Sequence, residues 1–141
     1  MALQKLQRPS SYGGDSLEGK TAACVTELLN AAVSFHKLHL KVTGLGSFAS
    51  HKALNELYDE LPEHGDDLAE GFQGAAEKLL VYPETAPRAL ASVEEGLAYL
   101  REMKEMVTGL QNQMPYSEIV NDLDNVKSTI NSIKYKLLFL K

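Results

Sequence analysis

Two histidines and two carboxylates are spaced along one stretch of this chain in a way that suits metal binding. His39 and His51 lie twelve residues apart, and Asp66 and Glu70 follow, four apart. Imidazole and carboxylate donors together fit iron, manganese or zinc. On a helix turning 100° per residue, His51, Asn55, Asp66 and Glu70 fall within about 100° of one another, along a single edge. Leu54, Leu57, Leu61, Leu68 and Phe72 lie far round the same helix, so this edge does not face the helix's own core. Lys52, Glu56, Asp59, Glu63 and Asp67 share the polar side, and a charged helix edge is more often a solvated face. A histidine on an apolar stripe, such as His39, is more often a hydrogen-bonded core residue than a ligand. Spacing alone leaves both readings open.

Helical rise restricts the metal reading. His51 and Asp66 are fifteen residues apart, roughly 22 Å at 1.5 Å per residue. Metal–ligand bonds are about 2 Å long, so one chain cannot bring both to one ion. Two antiparallel copies of the helix can. A two-fold axis near Glu60 and Leu61 sets His51 and Asn55 of one copy beside Asp66 and Glu70 of the other, with His39 joining from the preceding helix.

The elements that must position these residues are four amphipathic helices. The first is expected from about Ser16 to Val42, with Val25, Leu28, Ala32, Phe35, His39 and Val42 on one stripe and Gly44 as its stop. The second runs from Ser47 or Ser50 to about Gly74, with Pro62 predicting a kink. Pro87 suits the first turn of the third helix, which carries Leu90, Val93, Leu97, Leu100, Met103, Val107 and Leu110. The fourth repeats Ile119, Leu123, Val126, Ile130, Ile133, Leu137 and Leu140 in alternating steps of four and three, a heptad seam. The fold class is all-α, a four-helix bundle whose one longer connection, between the second and third helices, suits the crossover type.

At 141 residues the chain is one domain by size: a flexible tail over residues 1–15, then the bundle over 16–141. A net charge of −5 argues against a coat for nucleic acid. The single cysteine, Cys24, excludes an intramolecular disulfide framework and a multi-cysteine zinc site, and a reducing, cytoplasmic setting is the default. The first twenty residues lack the apolar run of a secretory signal, and no apolar stretch approaches the ~18 residues of a membrane span.

The segment "TELLNAAVSFHKLHLKVTG…SHKALN…EHGDDLAEG" resembles the core of the Dps proteins, the mini-ferritins of the ferritin-like superfamily. The resemblance covers about residues 21–71, and in it His39, His51, Asn55, Asp66 and Glu70 keep the family's ligand spacing without a gap. A divergent branch, of the kind some tailed phages encode, fits a chain this short. The resemblance implies a ferritin-like bundle assembled into a hollow cage, usually of twelve subunits. It implies oxidation of Fe²⁺ by peroxide or oxygen at sites shared across a two-fold, and storage of the ferric product. His39 and His51 would be imidazole ligands from one subunit, Asp66 and Glu70 carboxylate ligands from the other, and these four the catalytic set. Zinc is an alternative occupant as isolated, and the host cytoplasm the location if the protein is phage-encoded.

Several residues depart from the family pattern. Asn55 stands where an aspartate is usual, Leu40 replaces a tryptophan, and Gly71 replaces an arginine. Pro62 falls near the two-fold, and the connection before the third helix lacks the family's "GG" segment. The alternative function is therefore a ferritin-like structural or scaffold oligomer without ferroxidase activity. Family members that bind DNA often use lysine-rich tails. Lys5, Arg8 and Lys20, with Asp15 and Glu18 nearby, make a weak footprint of that kind. His36 forms an i, i+3 pair with His39 that could hold a separate metal, but reads more readily as a surface or interface histidine; His64 reads as exposed or as a donor to a ligand carboxylate, and Tyr58 as interface filler or an electron donor. Cys24 reads as buried packing, and "YKLLFLK" as packed in the bundle or between subunits.

Overall fold

A computed structural model describes residues 16–141, so the tail expected over residues 1–15, with Lys5 and Arg8, lies outside the described residues. Four helices carry the chain: α1 (Leu17–His39), α2 (Ser47–Ala76), α3 (Val93–Gln111) and α4 (Ser117–Phe139). Among the described residues there is no strand, and no helix is long and apolar enough to cross a membrane.

Local chemistry sets the boundaries. Ser16 caps α1 by accepting from the Gly19 amide at 2.9 Å. The helix ends at His39 rather than at Val42, because the chain then turns sharply through Gly44 and Gly46, at φ of 88° and 80°. α2 continues unbroken past Pro62, which removes one backbone donor without ending the helix. α3 does not start at Pro87. Ser92 accepts from the Glu95 amide while the Glu95 carboxylate accepts from the Ala91 amide, and this reciprocal pair fixes the first turn at Val93.

The expected apolar stripes meet in one core. Leu28, Phe35, Leu54, Leu57, Leu61, Leu100, Met103, Leu123 and Ile130 are among the fully enclosed side chains. α1 packs on α2 and α3, and α4 packs on the same two, so α2 and α3 sit on one diagonal and hardly touch. Gly96, early in α3, lies against Leu38 and Phe35 near the end of α1; Gly71, late in α2, lies against Ile119 early in α4. Hence α1 and α4 run one way and α2 and α3 the other, with a single long crossover joining the diagonal pair.

That crossover, residues 77–92, contains no helix and runs along α1 as a strap. Lys78 pairs with Glu18 at 2.8 Å, Thr26 donates to the Pro83 carbonyl, Asn30 donates to that of Thr85 at 3.0 Å, and Lys41 donates to that of Leu90 at 2.5 Å. Partners thus advance together, from Glu18 at the start of α1 to Lys41 just past its end, while the strap goes from Lys78 to Leu90. Its far half is pinned by Arg88, which forks onto Glu102 at 3.0 and 3.1 Å and lies over the buried Tyr99 ring at 4.1 Å. The Tyr99 hydroxyl donates to Glu27. The end of the chain packs less fully than "YKLLFLK" suggests: Leu137 is buried, whereas Leu138, Phe139 and Leu140 are exposed.

Candidate metal half-site

The end of α1 and the second turn of α2 bring two imidazoles together. His39 closes α1, and the short turn returns the chain so that His51 stacks on it, with ring centroids 3.7 Å apart and planes 24° apart. His51 Nδ1 lies 3.0 Å from the His39 carbonyl. A carbonyl only accepts, so Nδ1 carries the proton and donates, leaving the His51 Nε2 lone pair open. This is the second bond that commonly orients a metal-binding histidine.

His39 is only 7% exposed, and its Nδ1 is buried without a hydrogen-bond partner. Burial lowers its pKa first, and the neighbouring His51 imidazole lowers it further, while the His36 carbonyl works the other way. His39 is thereby kept neutral, the form with a lone pair to give.

Two more rings extend the cluster. Tyr58 stacks on His36 with centroids 3.9 Å apart and planes 9° apart, and meets His39 edge-on at 5.1 Å. Sequence reasoning treated His36 and Tyr58 as separate residues. The signal that joins them is their offset: His36 is one turn before His39, and Tyr58 is two turns after His51.

Asn55 follows His51 by one turn and is half-buried; Asp66 and Glu70 are exposed further along α2. Within one chain no three His, Cys, Asp or Glu side chains among the described residues are grouped to hold a metal ion. Because α2 is continuous from Ser47 to Ala76, the helical rise still separates His51 from Asp66 by roughly 22 Å. His64 does not serve Asp66. It points round the helix to Thr129 on α4, with Nε2 2.9 Å from the hydroxyl oxygen. Gly71, where an arginine was expected from the resemblance, has a packing reason. A Cβ there would come 2.8 Å from Ile119 Cδ1, so any larger residue would make the end of that α4 side chain shift.

One face of α1 stays uncovered beside the histidines. Leu29, Val33 and Leu40 are 41%, 42% and 71% exposed, and with exposed His36 they repeat at intervals of four, three and four. That is a heptad-like stripe whose inner edge touches α2, through His36 on Tyr58 and Leu29 beside Gly65, and whose outer edge is exposed among the described residues.

The molecule is thus an all-α bundle with one long crossover and a pair of stacked imidazoles, the buried His39 and the half-buried His51, where α1 turns into α2. A model described as a family of unknown function (DUF5856) matches residues 39–137, and the chain belongs to that family. The match begins at His39 and takes in His51, Asn55, Asp66 and Glu70. No curated protein and no solved structure matches the chain.

Proposed function

We propose that this protein is a ferritin-like ferroxidase of the Dps kind, which oxidises Fe²⁺ with peroxide or oxygen and stores the ferric product in a homo-oligomeric cage in the cytoplasm. The observation that carries this reading is the His39–His51 pair: two stacked rings, one oriented by a backbone carbonyl and the other buried with a nitrogen that has no hydrogen-bond partner among the described residues. The long crossover supports it, since ferritin-like bundles have one such connection. The open stripe Leu29–Val33–His36–Leu40 supports a second copy docking against α1 and α2. In that dimer His39 and His51 of one subunit hold substrate Fe²⁺ together with Asp66 and Glu70 of the other, and Asn55 contributes a neutral amide oxygen. The carboxylates stabilise Fe³⁺, the harder ion, more than Fe²⁺, so they favour the oxidised product. Electrons balance as two Fe²⁺ per peroxide, with two protons taken up and two waters released.

Fe²⁺ oxidation, followed by absorbance after adding peroxide to anaerobic protein, tests the reading. A fast phase saturating at about one or two irons per subunit, lost in both His51→Ala and Asp66→Ala, is the expected result. A rate no better than buffer, from protein that still self-associates, overturns it in favour of a structural oligomer that has lost the chemistry. Asn55 is the observation that favours that second reading, because it removes one negative charge from the ligand set.

A further inference from the structure

A knob and a hollow stand on either side of one point of the α1–α2 surface. Pairs across the contact between these helices, His36 with Tyr58 and Leu29 with Gly65, put Val33 level with Leu61. Leu40, 71% exposed, lies seven residues beyond Val33, about 10 Å along the helix. At a similar distance to the other side, a shallow cavity of about 400 Å³ opens between α1, α2 and the strap, with Thr26 on its α1 wall and Asp66 and Ala69 on its α2 wall. We infer that a second copy of this chain docks across a two-fold axis at Val33 and Leu61, each copy seating Leu40 in the strap-walled cavity of the other. Such docking rests on the two-fold of the function proposed above but not on its iron chemistry.

The cavity has apolar walls that the chain itself leaves uncovered. Leu29 is 41% exposed, and Ala69, Tyr82 and Pro83 are half-buried. Its strap wall is held in place: Thr26 donates to the Pro83 carbonyl, and the Tyr82 hydroxyl donates to Gln73 at 2.8 Å. A hollow that is already formed costs little ordering when it is filled. Leu40 cannot fill it within its own chain, because the two lie roughly 20 Å apart along the bundle.

Charge is divided about the same point. From residue 28 to 55 the chain carries Lys37, Lys41 and Lys52 and no carboxylate; from 56 to 77 it carries eight carboxylates and no lysine or arginine. A two-fold axis between the halves turns each against its opposite. Lys52 and Glu70 are both exposed and stand nine residues to either side of Leu61. Eighteen residues are five whole turns, so they lie on one line of α2, and the axis sets each Lys52 beside the partner's Glu70. Exposed Lys37, four residues beyond Val33, comes close to the level of the partner's Asp66. A second copy satisfies both halves at once, which a purely acidic or purely basic partner does not.

The apolar knob and the metal donors call for the same axis. Leu40 directly follows His39, and Asp66 stands in the cavity wall. Seating Leu40 therefore carries His39 toward the partner's Asp66, the pairing required if His39, His51, Asp66 and Glu70 are to share one ion.

Disulfide cross-linking of the full chain tests the docking. A disulfide needs Cα atoms within about 7 Å, so Leu40 and Ala69 of one chain cannot be joined, whereas docking brings them together across the axis. Under mild oxidation Leu40→Cys combined with Ala69→Cys should give a covalent dimer on a denaturing gel. Either single variant, each retaining the buried Cys24, should stay monomeric there. Leu40→Asp, at an exposed position, should keep its helicity and weaken self-association in sedimentation velocity at least about 10-fold. Docking at this register is overturned if the double variant cross-links no more than the single ones, if Leu40→Asp self-associates undiminished, or if the parent sediments only as a monomer. Fe²⁺ oxidation by the parent separates the two readings: cross-linking without oxidation keeps the docking and removes the ferroxidase, and oxidation without cross-linking does the reverse.

Discussion

Replacing His39 with phenylalanine should make the metal-free protein more stable. In the parent, His39 Nδ1 is enclosed without a partner, and a buried polar atom left unsatisfied costs about 1–3 kcal/mol. Phenylalanine keeps a ring to stack on His51, now 3.7 Å from centroid to centroid, so the aromatic contact survives. It carries no atom that needs a hydrogen bond. Part of the gain is offset by the larger ring, which leaves about 1 kcal/mol in favour of His39→Phe and a rise of about 3–5 °C in the midpoint for a domain of this size. Urea unfolding in the presence of a chelator reads this directly. The difference should also grow as pH falls. The pKa of His39 is held below its ordinary value near 6.5, so the unfolded chain takes up a proton at a higher pH than the folded one. The parent therefore loses stability as pH falls through 6.5 toward that lowered value, and phenylalanine removes this loss. At the same time the variant should no longer bind Fe²⁺, Co²⁺ or Zn²⁺ at the half-site. A residue whose removal stabilises the fold and abolishes the activity is one kept for function. A His39→Phe protein destabilised by more than about 1 kcal/mol would refute the reasoning, since it would mean that the histidine is a satisfied structural residue.

Other perturbations separate the remaining arguments. Val33→Glu places a charge in the middle of the exposed α1 stripe, and sedimentation velocity should show self-association weakened at least about 10-fold with helicity retained; unchanged association would move the two-fold elsewhere. The pKa of Asp122 is raised by burial and then by the nearby carboxylates of Asp67 and Glu118, with His64 opposing. The folded state thus holds its proton to higher pH than the unfolded state, and stability falls as pH rises from 3.8 through the raised value. Asp122→Asn should then stabilise at pH 7 by less than about 1 kcal/mol, given its partial exposure, with the gain gone at pH 3. Cys24 is enclosed, and its thiol is pushed up to about 12 by burial and by Glu27. Native protein at pH 8 should resist a thiol reagent that labels the unfolded chain completely.

The helices and their buried faces were legible because hydrophobic period reports which side of a helix is covered. Every leucine of the α2 stripe is enclosed, and so are six of the seven apolar seam residues of α4. The start of α3 was misplaced because Pro87 is compatible with a first turn, whereas the Ser92–Glu95 pair supplies the bonds that decide it. His39 was readable as lying on the apolar stripe. Its stacking on His51 was not, because that depends on a turn whose geometry is set by two glycines in left-handed conformations. His64 shows the limit of spacing arguments: two residues from Asp66 in sequence, it faces nearly the opposite side of α2 and bonds to α4.

The strap along α1 has little spare length. Between its Lys78 and Leu90 anchors it must keep pace with α1 from Glu18 to its end at His39, with Lys41 just beyond, roughly 32 Å of helix at 1.5 Å per residue. Twelve residue steps at about 3.3 Å reach only about 40 Å. A surface connection normally absorbs insertions and deletions freely, but this one behaves as a tie rod cut to measure. Removing two residues would pull Leu90 away from Lys41 and shift the register of α3 against α1, while the same deletion in an ordinary loop would pass unnoticed. Length variation in this protein should therefore be tolerated at the turn before α4 and resisted in the segment that has no secondary structure at all.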